Sequence, residues 1–260
     1  MSDLELIKTP TSDLISVIVR TVDRPFYLRE CLASIIFQDY PNIEIVLIND
    51  GGPSIKEILA ELPQHRNIRL VELDTPVGRS ASANIGLDEA RGEYLAFLDD
   101  DDIYYPFHLS TLREAANIQN SSVVYSDAVC AKQIPCEFDP RNYITTELEL
   151  IYSKDGSLED LYEVNFIPIL CVLFHRRCLA SGTRFDTKLE VYEDWDFWIR
   201  LRQEFSFLHL PQITSEYRLR TDGTNTVGQH LDRWRASRNY LLKKHEKIKG
   251  PQEGFYVEAR

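Results

Sequence analysis

Residues 99–102 are four consecutive aspartates that directly follow the apolar run 94–98, YLAFL. Like charges a few ångströms apart repel, and partial burial raises the cost to several kcal/mol. A positive partner should offset that cost, and hard divalent cations prefer carboxylate oxygens. Side chains alternate along an extended segment, so Asp99 and Asp101 are expected on one side and Asp100 and Asp102 on the other. An Asp-x-Asp pair of that kind can hold one metal together with a ligand's phosphates. A solvated acidic turn is the plainer alternative, and the apolar strand before it argues against that.

Four further positions can do chemistry. Asp50 ends an apolar run and precedes Gly51 and Gly52, so it suits either a turn or acceptance of a nucleobase N–H. Asp23 is either a helix N-cap ahead of Pro25 or a second polar group on that side. Arg79 lies in the small-residue stretch 78–84, GRSASAN, which opens a helix; it is either a diphosphate contact or a surface arginine. Residues 193–198, EDWDFW, start another helix with acids and tryptophans. Asp194 there either complements the helix dipole or serves as an oriented general base.

These positions need elements to hold them. Runs at 15–20, 43–48, 68–73 and 94–98 read as strands; the spacing of Leu28, Leu32, Ile35 and Ile36, in a segment ended by Pro41, reads as a helix, as do 55–62 and 82–90. Alternating strands and helices predict a mainly parallel α/β sheet, in which ligands bind beyond the carboxyl ends of the strands. The candidates at 21–24, 49–52 and 99–102 all fall at those ends. The second half is less regular. Strands are expected at 123–126, 167–175, 207–210 and 213–219, a polar loop-rich insert at 137–156, and helices at 194–202 and 230–249. No repeat or low-complexity linker divides the chain.

With 41 acidic and 29 basic residues the net charge is -12, which disfavours a nucleic acid partner. The N-terminal decapeptide lacks a signal-like basic and apolar pair, and no apolar run approaches the ~18 residues of a transmembrane segment. Five cysteines without a CxxC pair fit free, buried thiols in a cytoplasmic setting.

Taken together, five segments in order resemble the family 2 glycosyltransferases, inverting enzymes of the GT-A fold: SVIVRT at 16–21, INDGG at 48–52, GRSASAN at 78–84, GEYLAFLDDDD at 92–102 and EDWDFW at 193–198. The resemblance runs from about residue 14 to about 226. It implies a Rossmann-like central sheet flanked by helices, with a fused smaller acceptor-side lobe. A GT-A domain is expected over 1–228, its nucleotide half at about 13–102 and its acceptor half at about 103–228, followed by a helical tail at 229–260. Thr21, Asp23 and Asp50 would line the nucleobase pocket, with Arg24, Arg79 and Asp100 also on the nucleotide side. Asp99 and Asp101 would be the outer residues of the DxD motif, Asp101 ligating Mn2+ or Mg2+ and Asp99 holding the ribose or the metal's waters. Asp194 would be the catalytic base.

Many members carry a metal-binding histidine where this chain has Arg220, so the third protein ligand is open and Arg220 is a candidate phosphate contact. Processive members carry QxxRW and membrane spans; HLDRW at 230–234 is a chance likeness, and transfer of a single sugar is expected. The implied donor is a nucleotide-diphosphate sugar, UDP-linked by preference, and the acceptor is a hydroxyl on a saccharide, a lipid-linked saccharide or another molecule. A non-catalytic nucleotide-sugar or glycan-binding relative and a sugar nucleotidyltransferase are the rival readings.

Overall fold

Ile15, Val17, Ile18 and Val19 are all fully buried, and a strand covered on both faces is what such a β-branched run builds. In the computed structural model, which describes residues 11–63, 67–138, 142–220 and 231–246, this run is the middle of β1 (Thr11–Thr21). Helix α1 (Pro25–Ile36) follows, then β2 (Ile43–Asn49), α2 (Lys56–Glu61), β3 (Asn67–Glu72), α3 (Arg79–Glu89) and β4 (Gly92–Asp99). β3, β2, β1 and β4 lie side by side and parallel. The α/β architecture expected from the sequence is the one found.

Beyond β4 come β5 (Ile103–Tyr104), α4 (His108–Ile118), β6 (Val123–Pro135), β7 (Tyr143–Tyr152), α5 (Leu158–Leu161), β8 (Val172–His175), α6 (Glu193–Glu204), β9 (Phe207–Arg220) and α7 (Leu231–Lys244). These strands extend the same sheet in the order β4-β8-β6-β9-β5, with β7 on β6. Here β6 and β9 are parallel and the other pairings antiparallel, so the first half of the sheet is wholly parallel and the second half mixed.

Several elements differ from expectation. The polar insert at 137–156 contains β7, which pairs antiparallel with β6. Ile144, Leu148 and Leu150 are exposed, while Tyr143 and Tyr152 near its two ends pack on Tyr27 and Tyr217, so no alternating apolar pattern marks the strand. The apolar run 167–175 begins with Pro168 and a 3-10 turn over Ile169–Cys171, leaving only Val172–His175 as strand. The two runs around Pro211 form one strand, β9, whose register with β6 shifts between Ser126 and Asp127. Helix α4 is not among the expected elements, although Leu109, Leu112 and Ala116 bury one of its faces. Of the helix expected over 230–249, α7 supplies 231–244; residues 230 and 247–249 lie outside the described residues.

Helix α3 rests tightly on β1. A Cβ at Gly86 would stand 2.3 Å from Cγ2 of Ile18. That methyl belongs to a buried, β-branched side chain with little rotamer freedom. Alanine gains up to about 1 kcal/mol of helix propensity over glycine, whereas overpacking costs about 1–3 kcal/mol. Gly86→Ala is therefore expected to lower the denaturant midpoint, and a raised midpoint would show that α3 can lift from β1 without loss.

Candidate active site

The carboxyl ends of β1, β2 and β4 converge with the first turn of α6. β4 ends at Asp99, and the amide of Asp102 donates to the carbonyl of Asp99 at 3.1 Å, so residues 100 and 101 form a turn. The alternation expected for an extended segment is lost, and each aspartate has its own surroundings. Asp99 faces Arg20 and Arg79: Arg20 Nη2 donates to Oδ1 at 2.7 Å and Arg79 Nη2 to Oδ2 at 2.7 Å. Asp100 accepts from Thr21 Oγ1 at 2.7 Å and from Arg24 Nη1 at 3.2 Å. Oδ2 of Asp101 accepts from both Arg24 Nη1, at 2.9 Å, and Arg220 Nη2, at 2.5 Å. Asp102 turns inward and accepts the amide of Arg218 at 2.9 Å.

Burial and these charges set the ionisation of the cluster. Burial would raise the pKa of Asp99, but the guanidinium groups of Arg79 and Arg20 overcome it and hold that carboxyl well below its usual range. Burial and the charge of Asp101 push Asp100 up to about 7. Burial likewise raises Asp102 well above the carboxylate range.

Asp194 lies in the first turn of α6. Burial, reinforced by the neighbouring Glu193 charge, raises its pKa to about 7. Asn165 Nδ2 donates to its Oδ2 at 3.1 Å, and the Trp195 amide donates to its Oδ1 at 2.7 Å. Trp195 and Trp198 are buried behind it. Glu193 is not simply a dipole partner, because its Oε1 accepts from Arg79 Nε at 3.0 Å and from Arg20 Nη1 at 3.2 Å.

Both oxygens of Asp50 are engaged, with the Val77 amide at 2.7 Å and the Gly78 amide at 3.0 Å, so this carboxylate shapes the loop leading into Arg79. Asp23 is exposed with φ 50°, and the position before α1 is held by Arg24 with no side-chain cap. The N-cap expected at Asp23 is thus not formed, because a left-handed residue there turns the chain away. Arg220 has 0% side-chain exposure; it lies over the Tyr27 ring, 4.1 Å from its centroid, and 5.8 Å from that of Tyr143. In this arrangement the Arg220 side chain faces Asp101 and is covered by the two tyrosine rings. Sequence reasoning missed Arg20 and Asn165. Arg20 left a signal, a charge directly after the apolar run Val17–Val19.

Among the described residues no group of three or more His, Cys, Asp or Glu side chains could hold a metal by itself. Both oxygens of Asp99 are taken by arginines, whereas Oδ1 of Asp101 takes part in none of these pairs. Magnesium is commonly held by one or two carboxylates plus substrate phosphates and water. The donor set therefore fits a cation shared between Asp101 and a ligand's diphosphate, and does not fit a protein cage.

Comparison with known proteins matches residues 16–181 to the family model "Glycosyl transferase family 2". The chain is 28% identical over 256 residues to the uncharacterized glycosyltransferase YwdF of Bacillus subtilis, covering 94% of this chain and 88% of that protein. It is 26% identical over 232 residues to the Campylobacter jejuni GalNAc(5)-diNAcBac-PP-undecaprenol beta-1,3-glucosyltransferase, covering 87% and 72%. Among solved structures, S. aureus TarS 1-349 in complex with UDP-GlcNAc superposes with a TM-score of 0.66 at 18% identity, over 88% of this chain and 66% of that one. The mannosyltransferase PcManGT from Pyrobaculum calidifontis, in complex with GDP-Man and Mn2+, gives 0.63 at 19% identity, over 92% and 64%. The chain spans 37% of the longer TarS chain, whose TM-score is 0.65. These structures have the GT-A fold, as this chain does.

Proposed function

The chain belongs to glycosyl transferase family 2, and on that premise we propose that it moves one sugar from a nucleotide-diphosphate sugar to an acceptor hydroxyl with inversion at the anomeric carbon. The observation that carries this reading is the juxtaposition of two carboxylate sites through one arginine. Arg79 bonds Asp99 beside the aspartate turn and Glu193 beside Asp194. A donor diphosphate drawn to Arg79 and Arg24 would lie next to the carboxylate best suited to accept a proton.

Asp194 acts as the general base. A pKa near 7 suits it to take the acceptor's proton at neutral pH. As the proton moves to Asp194, the hydroxyl oxygen forms a bond to the anomeric carbon, and the bond from that carbon to the diphosphate breaks. The leaving diphosphate departs with the bonding electron pair. Asn165 and the Trp195 amide keep the carboxylate oriented. Mn2+ or Mg2+ on Asp101 would supply positive charge to the leaving diphosphate. UDP is the nucleotide we assign, supported by the UDP-GlcNAc bound to TarS; the GDP-Man bound to PcManGT makes guanosine the alternative to test. No helix among the described residues is long and apolar enough to cross a membrane. A cytoplasmic site of action is part of the same proposal.

A thermal-shift screen of nucleotide sugars with and without Mn2+ tests the donor class, since a ligand that binds the folded state raises the melting temperature. A UDP-sugar is expected to give the largest rise, greater with Mn2+. No shift with any nucleotide sugar would remove the reading. Asp50→Ala sharpens the test. The loss of a charged acceptor costs about 1.5–3 kcal/mol, here in the loop before Arg79 and, in our assignment, at the nucleobase. Calorimetry should find weaker UDP binding and a flattened preference for UDP over GDP. An unchanged preference would take Asp50 out of the nucleobase pocket.

A further inference from the structure

Helix α6 starts without local support of the usual kind. Its N-cap residue, Tyr192, has φ 64° and makes no side-chain cap. A non-glycine residue in the left-handed region persists only where its surroundings over-determine it. The Tyr192 ring packs between Trp195 and Trp234, with centroids 5.6 and 5.0 Å away. Asn165 bonds Asp194, and Arg200, Lys244 and His245 hold Asp196 on the far side of the turn, while Glu193 is the residue that ties it to the donor-side carboxylates.

Glu193 belongs to a closed ring of ion pairs. Arg20 bridges Asp99 at 2.7 Å and Glu193 at 3.2 Å, while Arg79 bridges the same two carboxylates at 2.7 and 3.0 Å. The two arginines are not equivalent. Arg79 has 38% side-chain exposure and can exchange a carboxylate for a ligand phosphate, whereas Arg20 has 7%. Arg20 also stands opposite Asp99 in the parallel register of β1 and β4, and its Nη1 donates to the carbonyl of Arg79 at 3.1 Å. Its guanidinium lies 6.0 Å from the Phe97 ring centroid. It therefore ties β4, α3 and α6 together from within the protein.

We propose that Arg20 is a positioning residue: it fixes the first turn of α6, and with it Asp194, against the donor-side carboxylates, and keeps doing so when Arg79 turns to a ligand. The catalytic half of this statement rests on the function proposed above; the positioning half does not. Arg20→Lys keeps the charge but loses the planar fork that reaches two carboxylates and a carbonyl together.

Hydrogen exchange on the full chain tests the positioning directly. In Arg20→Lys the amides of residues 192–196 should exchange about tenfold faster or more, as local opening becomes easier, while β2 keeps its protection. Unchanged exchange at α6, or an equal rise throughout the sheet, would overturn the proposal. Kinetics of UDP-GlcNAc and GDP-mannose hydrolysis supply the second readout. Misplacing a reacting group lowers turnover, so kcat should fall about ten- to a hundredfold while KM stays within about threefold. A raised KM with unchanged kcat would make Arg20 a donor contact instead. Glu193→Gln weakens the same tie from its other end and should reproduce both results, which keeps the test decisive if Arg20→Lys does not fold. If the wild-type protein hydrolyses neither donor, UDP-GlcNAc and GDP-mannose fail as its donors, while the exchange result still decides the positioning.

Discussion

Asp194→Asn is expected to lower sugar transfer at least about a hundredfold while the protein stays folded and binds UDP almost as before. A general base contributes roughly 10²–10⁴-fold to rate and little to donor affinity. An acid that only complements the helix dipole contributes about 0.3–1 kcal/mol of stability and nothing to turnover. Asparagine keeps the shape and can still accept from the Trp195 amide, so it removes the basicity together with the one hydrogen bond from Asn165. The pH dependence follows from the same residue. Burial and the Glu193 charge raise Asp194 to about 7, with Arg79, Asn165 and the Trp195 amide opposing. A base works only when deprotonated, so the rate should climb as pH rises through about 7 and level off above it. Wild-type turnover in Asp194→Asn, measured with a working acceptor, would move the assignment to Glu193 or Asp196.

The second large effect is expected at Asp101. Its Oδ2 meets Arg24 and the fully buried Arg220, while its Oδ1 is the oxygen we assign to the cation. Removing one partner of a buried pair costs about 3–5 kcal/mol, so Asp101→Ala should lower stability as well as binding. Asp101→Asn retains an oxygen for the arginines and separates the two effects. In Mn2+ its UDP affinity should fall about ten- to a hundredfold, the equivalent of about 1.4–2.8 kcal/mol. In EDTA the fall should be much smaller. Equal losses in both conditions, by calorimetry, would assign Asp101 a purely structural place among the arginines.

What can be read in advance follows from how each feature is encoded. The ends of β2 and β4 are legible because apolar runs stop abruptly at Asn49 and Asp99, and charged residues rarely interrupt a buried strand. Asp50, the aspartate turn and Asp194 stand out on that basis and on the resemblance. The partners of these residues are not legible. Arg20 and Glu193 are 173 positions apart, and no local pattern marks a pair that only the tertiary fold brings together. The conformation of residues 100 and 101 escapes a reading that continues the strand into the acids, because the chain turns there to give Asp100 and Asp101 one shared arginine. β7 is hidden for the opposite reason: most of its side chains face solvent, so its composition resembles a loop. Arg220 is noticeable as a departure from the family's histidine, but its enclosure under Tyr27 depends on β7 bringing Tyr143 alongside.

The most direct test of an inverting transfer is proton NMR of the sugar first released when the wild-type protein hydrolyses its preferred nucleotide sugar, followed before mutarotation scrambles the anomers. Water takes the acceptor's place, activated by Asp194 and attacking from the side opposite the diphosphate. The account predicts that the first anomeric signal has the configuration opposite to the donor's, and that Asp194→Asn gives almost no early signal. Release with the donor's own configuration, or equal release by Asp194→Asn, would contradict it.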